Sequence, residues 1–142
     1  MGPHVGLKSP SQISPTTAFI WKVLSGEQVP KPITENPAYV DVRDVASAVV
    51  YCVNHPDLSD RQRYLLSRGV VTPQACADIL RDHYQSKRQI STGEPGQGYR
   101  ADFGYSPSRS FDGSKIVRAT GKEYYKVEQT LIDTAISLEK FI

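Results

Sequence analysis

Tyr39-Val40-Asp41-Val42-Arg43-Asp44-Val45-Ala46-Ser47-Ala48 decides how this chain is read. The apolar/polar alternation predicts a strand over residues 37–42. The apolar spacing then turns helical, and Asp44 is placed to cap a helix over residues 45–53. Val45, Val49 and Cys52 share one face of that helix, widened by Ala46, Ala48 and Val53, and Asn54-His55-Pro56 ends it. A strand running into a helix is half of a βαβ unit. Arg63-Tyr64-Leu65-Leu66-Ser67 supplies a second strand, whose neighbouring leucines predict burial on both faces, as in a parallel sheet.

Outward from this crossover the chain is mostly helical. Ser14-Pro15 starts a helix that carries Ala18, Phe19, Trp21, Val23 and Leu24 and stops at Ser25-Gly26, with Gly26 in the left-handed position. Thr72-Pro73 opens another, with Cys76, Ile79, Leu80 and His83 along one side. Asp112 is placed to cap a short helix ending at Gly121, and Val127, Leu131, Ala135 and Leu138 mark a last one. Two strands rarely make a stable sheet unaided. The fold class is therefore α/β with an incomplete sheet, and residues 1–142 form a single region.

Composition narrows the function. The 142 residues carry 17 basic and 15 acidic side chains, with no basic run longer than Lys87-Arg88, so no nucleic-acid partner is expected. No apolar run approaches the ~18 residues of a membrane span. The start, Met1-Gly2-Pro3-His4, does not read as a signal peptide, and Cys52 and Cys76 read as small helical hydrophobes. A cytoplasmic, reducing setting is the expectation.

Motifs with chemical content are few. Gly96-Gln97-Gly98-Tyr99-Arg100-Ala101 matches a dinucleotide loop on paper, but it follows Gly93-Glu94-Pro95 rather than a strand and opens no helix, so it reads as a turn. Tyr84 and Lys87 are three apart, not the four that place a Lys against a catalytic Tyr on one helix face. His4, His55 and His83 lack metal-ligand spacing, and no Cys pair exists, so no metal is expected. Asp41 and Asp44 read as a helix start rather than as a catalytic carboxylate pair.

Taken in order, these segments resemble the C-terminal portion of the extended short-chain dehydrogenase/reductases. The branch is that of fungal aldehyde and ketone reductases, dihydroflavonol reductase and cinnamoyl-CoA reductase. Gly2-Pro3, Tyr39 to Ala48, Arg63-Tyr64-Leu65, Thr72-Pro73, Pro95 to Gly98, Asp112 to Lys115 and Thr130 to Ala135 carry the resemblance. It implies part of a Rossmann-type NAD(P)-binding fold: one βαβ crossover plus a helical substrate-binding region, with the dinucleotide-binding half upstream. It implies NADP or NAD as cofactor, met here by Thr16 in first place, with Ser14 and Thr17 beside it. It implies a small aldehyde or ketone substrate lined by Gly2, Pro3, Tyr99 and Tyr105. The family's Gly-rich loop and Tyr-x-x-x-Lys have no match here, so no catalytic residue is assigned. The chain alone is then expected to be inactive, with an intact reductase half as a candidate partner. Two other readings stay open: a non-catalytic truncated reductase, and a fragment of a nucleotide-sugar epimerase or dehydratase.

Overall fold

A computed structural model describes residues 1–26, 38–90 and 111–142. Helix α1 spans Pro15–Leu24; Ser14 precedes it, and Gly26 beyond it adopts φ +82°. Strand β1 is Ala38–Tyr39, followed by α2, Val42–Asn54, and the single turn α3, Pro56–Ser59. Strand β2 is Gly69–Val70. Helix α4 spans Pro73–Tyr84, and the Thr72 hydroxyl caps it by accepting from the Ala75 amide at 3.1 Å. Helices α5, Ser114–Thr120, and α6, Val127–Leu138, complete the chain. Helix α5 stops at Gly121, as the sequence predicts, and Gly121 lies in the left-handed region at φ +67°.

The core lies where α1, α4 and α6 pack on one another. Ile20, Val23 and Leu24 of α1 meet Ala75, Cys76, Ala77, Leu80 and Tyr84 of α4 and Leu131, Ala135 and Leu138 of α6 in one buried cluster, joined by Tyr39 and Val71. The buried positions keep the 3.6 period, but Ile20 and Tyr84 are buried without being marked by the sequence reading, and His83, marked on the apolar side of α4, is exposed. Both cysteines are free, with Cys76 buried and Cys52 half-buried.

The crossover differs from expectation in three respects. The strand is two residues long rather than six, and α2 starts at Val42. The cap is Asp41, not Asp44: Asp41 Oδ1 accepts from the Arg43 amide at 2.8 Å, so the helix begins three residues early. Asp44 lies inside the first turn, buried, and accepts instead from the amide of Tyr125 at 3.2 Å. Third, β1 and β2 pair antiparallel, with Ala38 opposite Val70 and Tyr39 opposite Gly69. Arg63–Ser67, expected as a parallel strand, lies in no regular element. Strand propensity is realised only beside a partner strand, and the pairing with β1 ends at the bond from Arg68 N to Tyr39 O, 2.9 Å, one residue short of Ser67.

Candidate functional site

The N-terminal segment threads between α1, α2 and α6. Met1 N donates to Val40 O at 2.9 Å and Met1 O accepts from Val42 N at 2.7 Å, the two-bond pattern of a parallel bridge opposite Asp41. Gly2 is buried at φ +126° and donates its amide to Thr134 Oγ1 at 2.9 Å. A Cβ there would come within 2.7 Å of Val42 and 2.9 Å of the Asp41 carboxylate, so only glycine fits this crossing. The His4 amide donates to Ser137 Oγ at 3.0 Å.

Asp41 anchors this crossing from below. Its buried carboxylate accepts from Arg43 N, Nε and Nη2 and from Thr130 Oγ1, all within 3.0 Å. Burial pushes the carboxyl up, but these donors and the guanidinium charge outweigh it and hold Asp41 below its ordinary value. Arg43 also reaches Asp133 at 2.6 Å and lies over the Tyr125 ring, 3.8 Å from its centroid. The carboxylates and the guanidinium of this cluster are bonded to one another, so it reads as a fastening.

The segment thus holds His4 against the start of α1. His4 Nε2 lies 2.9 Å from Thr17 Oγ1, which lies 3.0 Å from Ser14 Oγ; Ser14 Oγ is in turn 3.0 Å from Thr16 Oγ1. The buried Thr17 hydroxyl is thereby connected to the exposed Thr16. Burial first, then the nearby terminal amine, lowers the His4 pKa and favours the neutral ring. The structure therefore brings together Ser14, Thr16 and Thr17 on one helix end beside Gly2 and Pro3. Tyr99 and Tyr105 lie outside the described residues, as does the Gly96–Ala101 turn. In the sequence His4 stands out only as a histidine without metal-ligand spacing; the signal for its polar role is its place directly after Gly2-Pro3.

Four of the tyrosines are poorly suited to give up a proton. Tyr39, Tyr64, Tyr84 and Tyr124 are all shifted upward, burial being the first cause each time, and Tyr39 is pushed up to about 12. A phenol that gives up its proton at neutral pH needs the opposite shift, from an adjacent cation.

No family model matches the chain. An uncharacterized oxidoreductase of Schizosaccharomyces pombe is 29% identical over 132 residues, 93% of this chain and 37% of its own length. Another, of Saccharomyces cerevisiae, is 32% identical over 101 residues, 70% of this chain and 28% of its own length. Among solved structures, Gre2 from Candida albicans superposes with a TM-score of 0.72 at 27% identity, covering 98% of this chain and 41% of that one. This chain is similar to Gre2-type reductases over nearly its whole length. The extended short-chain dehydrogenase/reductase resemblance and the incomplete α/β sheet are both borne out. The Candida albicans Gre2 complex with NADPH superposes equally completely, with a TM-score of 0.70 at 26% identity, 98% of this chain and 40% of that one. The chain spans about two fifths or less of each relative's length. No helix among the described residues is long and apolar enough to cross a membrane.

Proposed function

We propose that this chain is the C-terminal, substrate-side portion of a cytoplasmic NAD(P)H-dependent reductase of aldehyde or ketone carbonyls. The observation that carries the reading is the near-complete superposition on an NADPH-bound reductase. The nicotinamide supplies the hydride; the protein supplies orientation and surroundings. Gly2, Pro3, His4, Ser14, Thr16 and Thr17 include no Lys or Arg. Their hydroxyl and imidazole donors suit the uncharged carboxamide and ribose hydroxyls of a nicotinamide nucleoside, not its phosphates. In this reading Thr16 offers the exposed hydroxyl, while Ser14, Thr17 and His4 fix its direction. Gly2 and Pro3 form one wall for the carbonyl compound, and Tyr99 and Tyr105 contribute a second.

The test is a chimera in which this chain replaces the matching two fifths of Candida albicans Gre2. Loss of NADPH absorbance with a panel of aldehydes and ketones is the expected outcome, and Thr16→Val should raise KM for NADPH more than it lowers kcat. A folded, NADPH-binding chimera that reduces none of them would overturn the reading. The isolated chain should turn over none of these compounds at even ~1 s⁻¹, the low end for ordinary enzymes.

A further inference from the structure

The two aspartates at the start of α2 are both buried, and the protein serves them differently. Asp41 takes its hydrogen bonds from Arg43 and Thr130, all within 3.0 Å. Asp44, 6% exposed, takes one bond among the described residues, from the Tyr125 amide at 3.2 Å. A buried carboxylate with one long bond from a neutral donor has not recovered the hydration it lost. Burial is the first cause that raises the Asp44 pKa, and the Asp41 charge adds to it. The Tyr125 amide and the charges of Lys122 and Arg43 act the other way.

Beside Asp44 lies a cavity of about 20 Å³, room for one water molecule. Its polar lining is Asp44, Ser47, Thr120, Lys122 and Tyr124. Two of these hydroxyls already donate to carbonyls: Thr120 to Ile116 at 2.8 Å and Tyr124 to Gly113 at 2.9 Å. Each keeps the capacity to accept. Lys122 Nζ donates to Ser47 Oγ at 2.7 Å, one of an ammonium's three donors. Asp44 and Lys122 form no direct ion pair among the described residues, although the Lys122 charge reaches the carboxylate. An acceptor short of donors and an ammonium with donors to spare thus share one water-sized space. A metal ion does not suit it, because a single carboxylate faces the Lys122 charge and no cluster of three ligating side chains exists among the described residues. An organic ligand is too large for it.

We propose that this cavity is a one-water site whose water bridges the Asp44 carboxylate to the Lys122 ammonium. The water accepts from Lys122 Nζ and donates one O–H to Asp44, and its second O–H is free for a lining hydroxyl. The bridge fastens residues 121–126, which join α5 to α6, onto α2. It acts beside the Tyr125–Asp44 bond and the Arg43 guanidinium, 3.8 Å from the Tyr125 ring centroid. The site is built from this chain's own residues and holds whether or not the chain is part of a reductase.

A high-resolution crystal structure of the 142-residue chain reads the site directly. One ordered water is expected within hydrogen-bond distance of both the Asp44 carboxylate and Lys122 Nζ. The crystal structure of Lys122→Met, which keeps the aliphatic stem without the donor, is expected to lack that water. In urea melts the losses of Asp44→Asn and Lys122→Met are expected not to add, because either change breaks the same bridge. The folding constant of the double variant should exceed the additive value by about threefold or more. Additive losses overturn the proposal. So does a dry cavity, a direct Asp44–Lys122 contact in the crystal, or a water that persists unchanged in Lys122→Met.

Discussion

Helices α2 and α4 are nearly the same length, 13 and 12 residues, and each follows a two-residue strand. Their burial is reversed relative to their sequences. Helix α4, with Gln74, Asp78, Arg81 and Asp82, buries six residues including Cys76 and Leu80. Helix α2, with its five valines, buries two, one of them an aspartate. Helix α4 is held by packing against α1 and α6; α2 is held at its first turn by Asp41, Arg43 and Thr130. The difference teaches that an apolar face specifies a need for cover without supplying it. Cover comes from whichever elements the chain contains.

The largest effect should come at the polar fastening. Asp41→Ala removes the cap and leaves Arg43 and Thr130 without their shared acceptor; loss of one partner of a buried pair costs about 3–5 kcal/mol. Asp41→Asn should recover the capping share, about 1 kcal/mol. A urea melt showing less than ~1 kcal/mol lost in Asp41→Ala would place the attachment of α2 elsewhere. The same group sets an acid limb. Because the folded-state pKa of Asp41 is depressed, its contribution is present above the ordinary carboxylate value of about 4 and fades as pH falls through the lower folded value. Asp44, raised chiefly by burial, acts with the opposite sign, its contribution being lost as pH climbs from about 4 through its raised value. Asp41→Asn should therefore flatten the acid limb of a stability–pH curve, and an unchanged limb would assign it to another carboxylate.

Next comes the packed helix. Leu80→Ala, at a fully buried site, should cost about 2–5 kcal/mol. Thr72→Ala should cost about 1 kcal/mol by removing the α4 cap, with Thr72→Ser restoring most of it. The smallest effect belongs to the exposed valines of α2: Val49→Ala should change the chain's own stability by less than about 0.5 kcal/mol. A loss for Val49→Ala approaching that of Leu80→Ala would mean that these valines are covered in solution, and the contrast between the helices would collapse.

Much of this was legible in advance. The α1, α4 and α6 faces follow from the 3.6 period, and the left-handed ends at Gly26 and Gly121 follow from glycine at a helix stop. Ser14, Thr16 and Thr17 were reached through resemblance, and the structure places them on one helix end. The choice of cap was not legible, since Asp41 and Asp44 are both chemically able to cap. Thr130, 89 positions away, and the crossing at Gly2 select Asp41. Nor was the His4–Thr17 contact, which joins a loop to a helix 13 residues on.

The sequence by itself determined the five longer helices, where they stop and where their apolar residues recur, because those depend on periods and caps spanning a few residues; the single turn α3 and the start of α2 it did not. Tertiary structure alone decided that β1 and β2 pair antiparallel, that Arg63–Ser67 stays outside the sheet, and that α4's face is buried while α2's valines are not. Strand pairing and burial depend on partners distant in the chain, and a face is covered only when another element is there to cover it.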